Sequence, residues 1–143
     1  MAILPEPFAT ATLLQNSNLQ RKVSLTEEWN KAFDGVELPT AVTIVRKSYA
    51  KEHSERVKAF LEAEKESIEL VEKDIKKTAE LVVKQGILEK EVLAEKAIPN
   101  CNIHFIDGEE MKKALMQYYQ ILFDSNSKSV GGALPEEDFY AVD

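Results

Sequence analysis

From Ser54 onward, apolar residues return every three or four positions. Val57, Phe60, Leu61, Ile68 and Val71 share this spacing, while Glu62, Lys65, Glu69 and Glu72 fall on the opposite side. A stripe of this kind predicts an amphipathic helix with one buried face. Asp74 stands where an N-cap would open a second helix through Ile75, Ala79, Val82 and Val83, closed by Gly86. Leu88 to Ile98 continues the helical spacing and stops at Pro99. Asp107 and Glu110 take the cap and N3 positions of a capping box, opening a helix whose face carries Met111, Leu115, Tyr118, Tyr119 and Leu122.

The first third of the chain has a different rhythm. Short apolar runs, Ala2-Ile3-Leu4, Lys22-Val23-Ser24-Leu25 and Ala41-Val42-Thr43-Ile44-Val45, alternate with turn residues. The last of them has the β-branched density of a buried strand. Between these runs, Pro7 to Leu14 reads as a short helix closed by Asn16-Ser17-Asn18. Thr26 is positioned to cap a helix over Glu27–Phe33, and Gly35 and Pro39 break the chain after it. Asn102 to Ile106 suits a short strand or an extended connector, and Pro135 can start a helical turn over Glu136–Tyr140. Strands followed by about five helices predict an α/β, helix-rich fold.

Composition narrows the function. The 143 residues carry 18 Lys+Arg against 25 Asp+Glu, a net charge of −7, and the pI is near 5.0. An acidic chain without a basic, aromatic-interleaved stretch lacks what nucleic-acid backbones require. The single cysteine, Cys101, rules out an internal disulfide framework. No apolar run approaches the roughly 20 residues needed to span a bilayer. As written, the N-terminus reaches Pro5 and Pro7 before a secretory signal develops.

The chemical motifs are sparse. His53 and His104 are far apart, and no metal-binding spacing occurs, so no metal and no cofactor are expected. Cys101 with His104 is the one pairing that suggests a nucleophile and base, but no orienting residue accompanies it, and a small packed cysteine is the favoured reading. Gly131-Gly132 follows a helix and suits a tight turn better than a phosphate cradle. Tyr118 and Tyr119 suit core packing with wet hydroxyls better than a stacking box, and Trp29 is undetermined. Glu69–Lys73, Glu72–Lys76 and Glu80–Lys84 are spaced as helix-stabilising ion pairs.

Met1-Ala2-Ile3-Leu4-Pro5-Glu6-Pro7-Phe8-Ala9-Thr10 resembles a recurring strand, Glu-Pro-Phe turn and helix of ABC-importer substrate-binding proteins of the nitrate/sulfonate/taurine type. Pro39 to His53, Val57 to Ala63, Ile98 to Ile103 and Gly131 to Tyr140 extend the resemblance over nearly the whole chain. It implies the C-terminal portion of a type 2 periplasmic-binding-protein fold. Residues 1–38 would be the end of the second lobe and the return connection, and residues 39–143 the C-terminal share of the first lobe. The implied role is a non-enzymatic one: cleft closure on a small, anionic solute and delivery to an ABC permease, in a periplasmic or membrane-anchored extracellular setting, with no cofactor. A truncated sheet would leave open edges, so self-association into a homo-oligomer is expected. The resemblance maps the cleft turn onto Pro5, Glu6, Pro7, Phe8 and Thr10, with Glu6 or Thr10 as polar ligand contacts. Equally, Glu6 suits the cap of the helix begun by Pro7. The runner-up function is a helical protein-interaction module without a small-molecule ligand, and a thiamine-precursor-type biosynthetic enzyme is a weaker third.

Overall fold

The computed structural model describes residues 1–140, and within them every regular element is helical. The α-helices are α1 (Phe8–Gln15), α2 (Leu25–Ala32), α3 (Lys47–Glu52), α4 (Ser54–Lys73), α5 (Ile75–Lys84), α6 (Glu91–Ala97) and α7 (Gly108–Ser125). Short 3-10 turns cover Ile98–Asn100, Ser127–Val130 and Glu137–Phe139. No strand occurs among the described residues, so the α/β expectation is overturned. Ala41 to Val45 forms no regular element and has no neighbouring strand with which to form a ladder among the described residues, and Val42, Ile44 and Val45 stay exposed. β-Branching favours an extended backbone, whereas a sheet also needs a partner. Ala2–Leu4 and Asn102–Ile106 are likewise irregular. The last three residues of the 39–143 segment lie outside the described residues.

The chain divides into two compact units, each built from two separate stretches. Unit one takes Met1–Arg21 and Val45–Phe105, and unit two takes Lys22–Ile44 and the chain from Ile106.

In unit one, α5 packs on α6, and α1 and α4 join this pair. The core consists of small side chains: Ala79 and Ala94 are fully buried, Ala97 nearly so, with Thr10 and Thr78 beside them. Small residues let helix backbones approach closely. The Thr78 hydroxyl donates to the Asp74 carbonyl at 2.9 Å, which makes its burial tolerable. By contrast, α4 has no buried residue, and Phe60 on its predicted inner face is exposed. That stripe covers part of its surface but does not build a deep core.

Local capping separates two similar sequence signals. The Asp74 carboxylate accepts from the Lys77 backbone N–H at 2.8 Å, as the sequence predicts. Asp107 sits at the N-cap of α7, yet its side chain makes no cap hydrogen bond. At α2 the cap is Ser24, whose hydroxyl accepts from the Glu27 N–H, in place of the expected Thr26. An N-cap hydrogen bond is worth about 1 kcal/mol. Asp74→Ala is therefore expected to lower unfolding free energy by about 1 kcal/mol, while Asp107→Ala changes it by less than about half that amount. Equal losses in paired urea titrations would contradict these assignments.

The exposed ion pairs are only partly those the spacing suggests. Lys73 reaches Glu69 at 3.0 Å, but Lys77 pairs with Glu80 at 3.0 Å, and Glu72 faces His104 Nδ1 at 3.0 Å. Each contributes at most a few tenths of a kcal/mol to about one at such exposure.

Unit two is organised by α7 and a run of aromatic rings. Leu115 and Tyr140 are its buried hydrophobic residues. Trp29 stacks on Phe33 at 4.3 Å and on Tyr118 at 5.6 Å, and its indole N–H donates to the Val36 carbonyl at 2.9 Å. The run continues from Tyr118 to Tyr119 at 5.9 Å, Tyr119 to Phe139 at 6.1 Å and Phe139 to Tyr140 at 5.3 Å. Tilted and edge-on contacts of this kind add to area burial because ring edges and faces carry opposite partial charge.

Candidate functional site

Unit two holds a cleft of about 220 Å³. One wall is the irregular Pro39–Val42 segment, and the other is formed by Leu115, Tyr118 and Tyr119 of α7. These three residues share a face because positions three and four apart on a helix are neighbours. Leu115 is buried, so the floor is apolar and fixed. The two tyrosines are half-buried and add flat ring surface. Their position therefore joins two roles the sequence presents as alternatives: they pack within the aromatic run and also line a cleft.

Lys112 lies one turn before Leu115, on the same side of α7 as Tyr119. Its side chain is 17% exposed, and its ammonium donates to Glu137 at 2.5 Å, whereas Glu137 is 77% exposed. The hydrogen bond to Glu137 raises the Lys112 pKa above the ordinary lysine range, so the ammonium is charged. Burial pushes the Tyr140 phenol up, with Tyr119 and Glu137 adding to the effect, and the hydroxyl stays protonated at neutral pH. Lys112, Glu137, Phe139, Tyr140 and the Pro39–Val42 wall are not candidate site residues in the sequence reading, where Pro39–Val42 and Glu137–Tyr140 figure only as structural or resemblance segments. The available signal is that Lys112 is a charged residue within the apolar stripe of α7, and that the tail carries two adjacent aromatics, Phe139 and Tyr140.

The residues mapped as ligand contacts lie in unit one. Glu6 accepts a hydrogen bond from the Thr10 backbone N–H at 3.2 Å and pairs with the Arg21 guanidinium. Burial pushes the Glu6 carboxyl up, but the hydrogen bonds from Arg21 and Thr10, with the charge of Arg21, outweigh it and hold the group below the usual carboxylate range. Thr10 is buried, Pro7 serves as the N-cap of α1, Pro5 is exposed and Phe8 is 64% exposed. The carboxylate of Glu6 is thus engaged at the start of α1.

Cys101 is half-buried, and its thiol donates to the Ala97 carbonyl at 3.4 Å. Burial, then the negative charge of Glu6, pushes the thiol pKa up, the reverse of what an activated nucleophile needs. His104 is exposed and faces Glu72. No group of three or more metal-ligating side chains occurs among the described residues. A second cleft, about 350 Å³ and walled by Leu70, Val71, Leu81, Val82 and Ile87, lies between α4 and α5 of unit one. No helix among the described residues is long and apolar enough to cross a membrane.

The model of a family described as menaquinone biosynthesis matches residues 10–124. No curated protein and no solved structure matches the chain. The family match overturns the resemblance to ABC-importer substrate-binding proteins, and with it the solute-binding transport role and the permease partner. It gives no support to a protein-interaction module either. That resemblance rested on turn and packing patterns, such as Glu6-Pro7-Phe8 leading into a helix, which many helical proteins share. The expected self-association depends on the open edge of a severed sheet, and no strand occurs among the described residues to supply one. The matched family's description is a biosynthetic one, unlike the expected non-enzymatic transporter component.

Proposed function

The chain belongs to the menaquinone-biosynthesis family, and from that premise we propose that it seats a ring-bearing intermediate of the pathway in the unit-two cleft, as the ring-binding part of a biosynthetic enzyme. Menaquinone is a two-ring quinone with an apolar tail, so its late intermediates present flat, weakly polar surfaces. The observation that carries the reading is the pairing of an apolar floor at Leu115 with the rings of Tyr118 and Tyr119. Offset stacking on phenol rings and burial on an aliphatic floor both favour a planar ligand. At about 220 Å³ the cleft falls below the roughly 300–1,000 Å³ of drug-sized sites. This size suits the ring portion of an intermediate and leaves a long tail outside. The tyrosine hydroxyls are suited to hydrogen-bond a ring oxygen and fix its orientation.

Trp29 provides the readout, since it is the single tryptophan and its ring lies 5.6 Å from Tyr118. Titration with 2-methyl-1,4-naphthoquinone is expected to quench its fluorescence along a saturating curve. Val42→Asp, which places a charge on the exposed wall of the cleft, is expected to weaken binding at least about tenfold by adding an anion to an apolar site. Quenching that rises linearly and identically in both proteins would refute the reading.

A further inference from the structure

The cleft of unit one differs in chemistry from the one beside Tyr118. Its volume of about 350 Å³ is walled by Leu70 and Val71 of α4, Leu81 and Val82 of α5, and Ile87 just beyond α5. Among the described residues that line it, none is aromatic and none is charged. Two hydroxyls border it, and both already donate to backbone carbonyls: Ser67 to Ala63 at 2.7 Å and Thr78 to Asp74 at 2.9 Å. Gln85, at the C-terminal end of α5, adds a carboxamide.

The backbone fixes the lip of this cleft. The Ile87 N–H donates to the Val82 carbonyl at 3.0 Å and the Gly86 N–H to the Val83 carbonyl at 2.9 Å, with Gly86 left-handed at φ +71°. In such a Schellman ending the residue after the glycine commonly packs on the last turn of the helix. Ile87 is nevertheless 70% exposed and Leu70 37% exposed, so aliphatic surface from both sides of the cleft stands open. From Thr78 to Gln85 the α5 wall rises about 10 Å, at about 1.5 Å per residue. An extended hydrocarbon chain with C–C bonds of about 1.5 Å advances about 1.25 Å per carbon, so about eight carbons span that wall.

We propose that this cleft binds a single neutral aliphatic chain of about eight carbons, with a hydroxyl or amide end at Gln85. Walls without a ring give a flat aromatic ligand nothing to stack on, and walls without a charge give an ionic head no partner to offset its desolvation. A saturated chain needs neither. The site shares no residue with the unit-two cleft and takes a different ligand chemistry, so the two readings stand or fall separately.

The test titrates 1-butanol, 1-hexanol, 1-octanol and 1-decanol into the full chain carrying 13C-labelled Ile, Leu and Val methyl groups. Saturable shifts are expected in the methyl spectrum at Leu70, Val71, Leu81, Val82 and Ile87. Affinity is expected to rise about fourfold per added methylene as far as 1-octanol, equivalent to about 0.8 kcal/mol each, and to gain less than about twofold from there to 1-decanol. Octanoate at neutral pH is expected to bind at least about tenfold more weakly than 1-octanol, and Leu70→Glu to weaken 1-octanol by a similar factor. Ile87→Ala, at an exposed position where replacement is structurally mild, is expected to weaken it about threefold. Shifts that rise linearly, or an affinity for 1-octanol unchanged in both variants, overturn the proposal. It is also overturned if these methyl groups shift with protein concentration alone, the occupant then being a second copy of the chain. Shifts saturated by phosphatidylcholine vesicles and not by 1-octanol overturn it too, since the cleft then meets a bilayer and not a free chain.

Discussion

Ala79→Asp is expected to abolish the folded state of unit one, seen as loss of most of its helical circular dichroism at neutral pH. Ala79 is fully buried where α5 packs on α6, among Ala94, Ala97 and Thr78. A carboxylate there would enter a core of alanine and threonine side chains, and the cost of an uncompensated buried charge is about 3–5 kcal/mol. Domains of this size have only about 5–15 kcal/mol of stability in total. Added volume compounds the penalty, since helices spaced for alanine cannot accommodate a larger side chain without moving apart. Ala79→Gly separates the causes: it removes one methyl group and adds helix flexibility, for a loss of about 1 kcal/mol. A cooperative transition for Ala79→Asp at the same urea midpoint as the unmodified chain would refute the placement of this residue in the core.

Leu115→Ala is expected to act on stability and binding together. Leu115 is the buried residue of α7 and also the floor of the cleft. Truncating a buried leucine costs about 2–5 kcal/mol, with the spread set by how far neighbours relax into the space. Here one side of the residue already faces a cleft, which places the expectation near the lower end, about 2–3 kcal/mol. Trp29 fluorescence reports on this unit, so its urea midpoint should fall while the slope stays the same. Under conditions where the variant is still folded, 2-methyl-1,4-naphthoquinone should bind about tenfold more weakly, because the apolar floor has lost most of its surface. Weakened stability with unaltered ring affinity would show that the ring does not sit on Leu115.

Helix positions were readable wherever a local signal suffices. The Asp74 cap, the stop at Gly86 and the face of α7 each depend on residues within a few positions of one another, and each stands in the structure. Ala41–Val45 failed for the opposite reason: a strand is a relation to another strand, and nothing in five β-branched and small residues says whether a partner exists. The side of the cleft formed by Leu115, Tyr118 and Tyr119 was legible as a helix face, but its other wall, Pro39–Val42, was hidden by the chain break read at Pro39 and the strand reading of Ala41–Val45. Lys112 and Glu137 are separated by most of α7 and the following loops, so only the folded chain pairs them. The family's biosynthetic role was not legible in composition or motif, because the sequence carries no metal-ligand spacing, nucleophile motif or phosphate-loop pattern to signal it.

The alternation of the two units along the chain has a consequence for how the protein is made. All of unit one has been synthesised once Phe105 has emerged, whereas the early segment Lys22–Ile44 must wait for α7 and the Glu137–Phe139 turn before its own unit can close. Trp29 and Phe33 are therefore made long before Tyr118, and during that interval an aromatic pair and the Pro39–Val42 stretch remain without their counterpart on the ribosome. Long sequence separation slows closure of this kind, and incomplete units expose sticky surface while they wait. The unit-two cleft consequently forms only after unit one is complete, and a ribosome that stalls shortly after Phe105 holds a chain in which the Pro39–Val42 wall still lacks Leu115, Tyr118 and Tyr119.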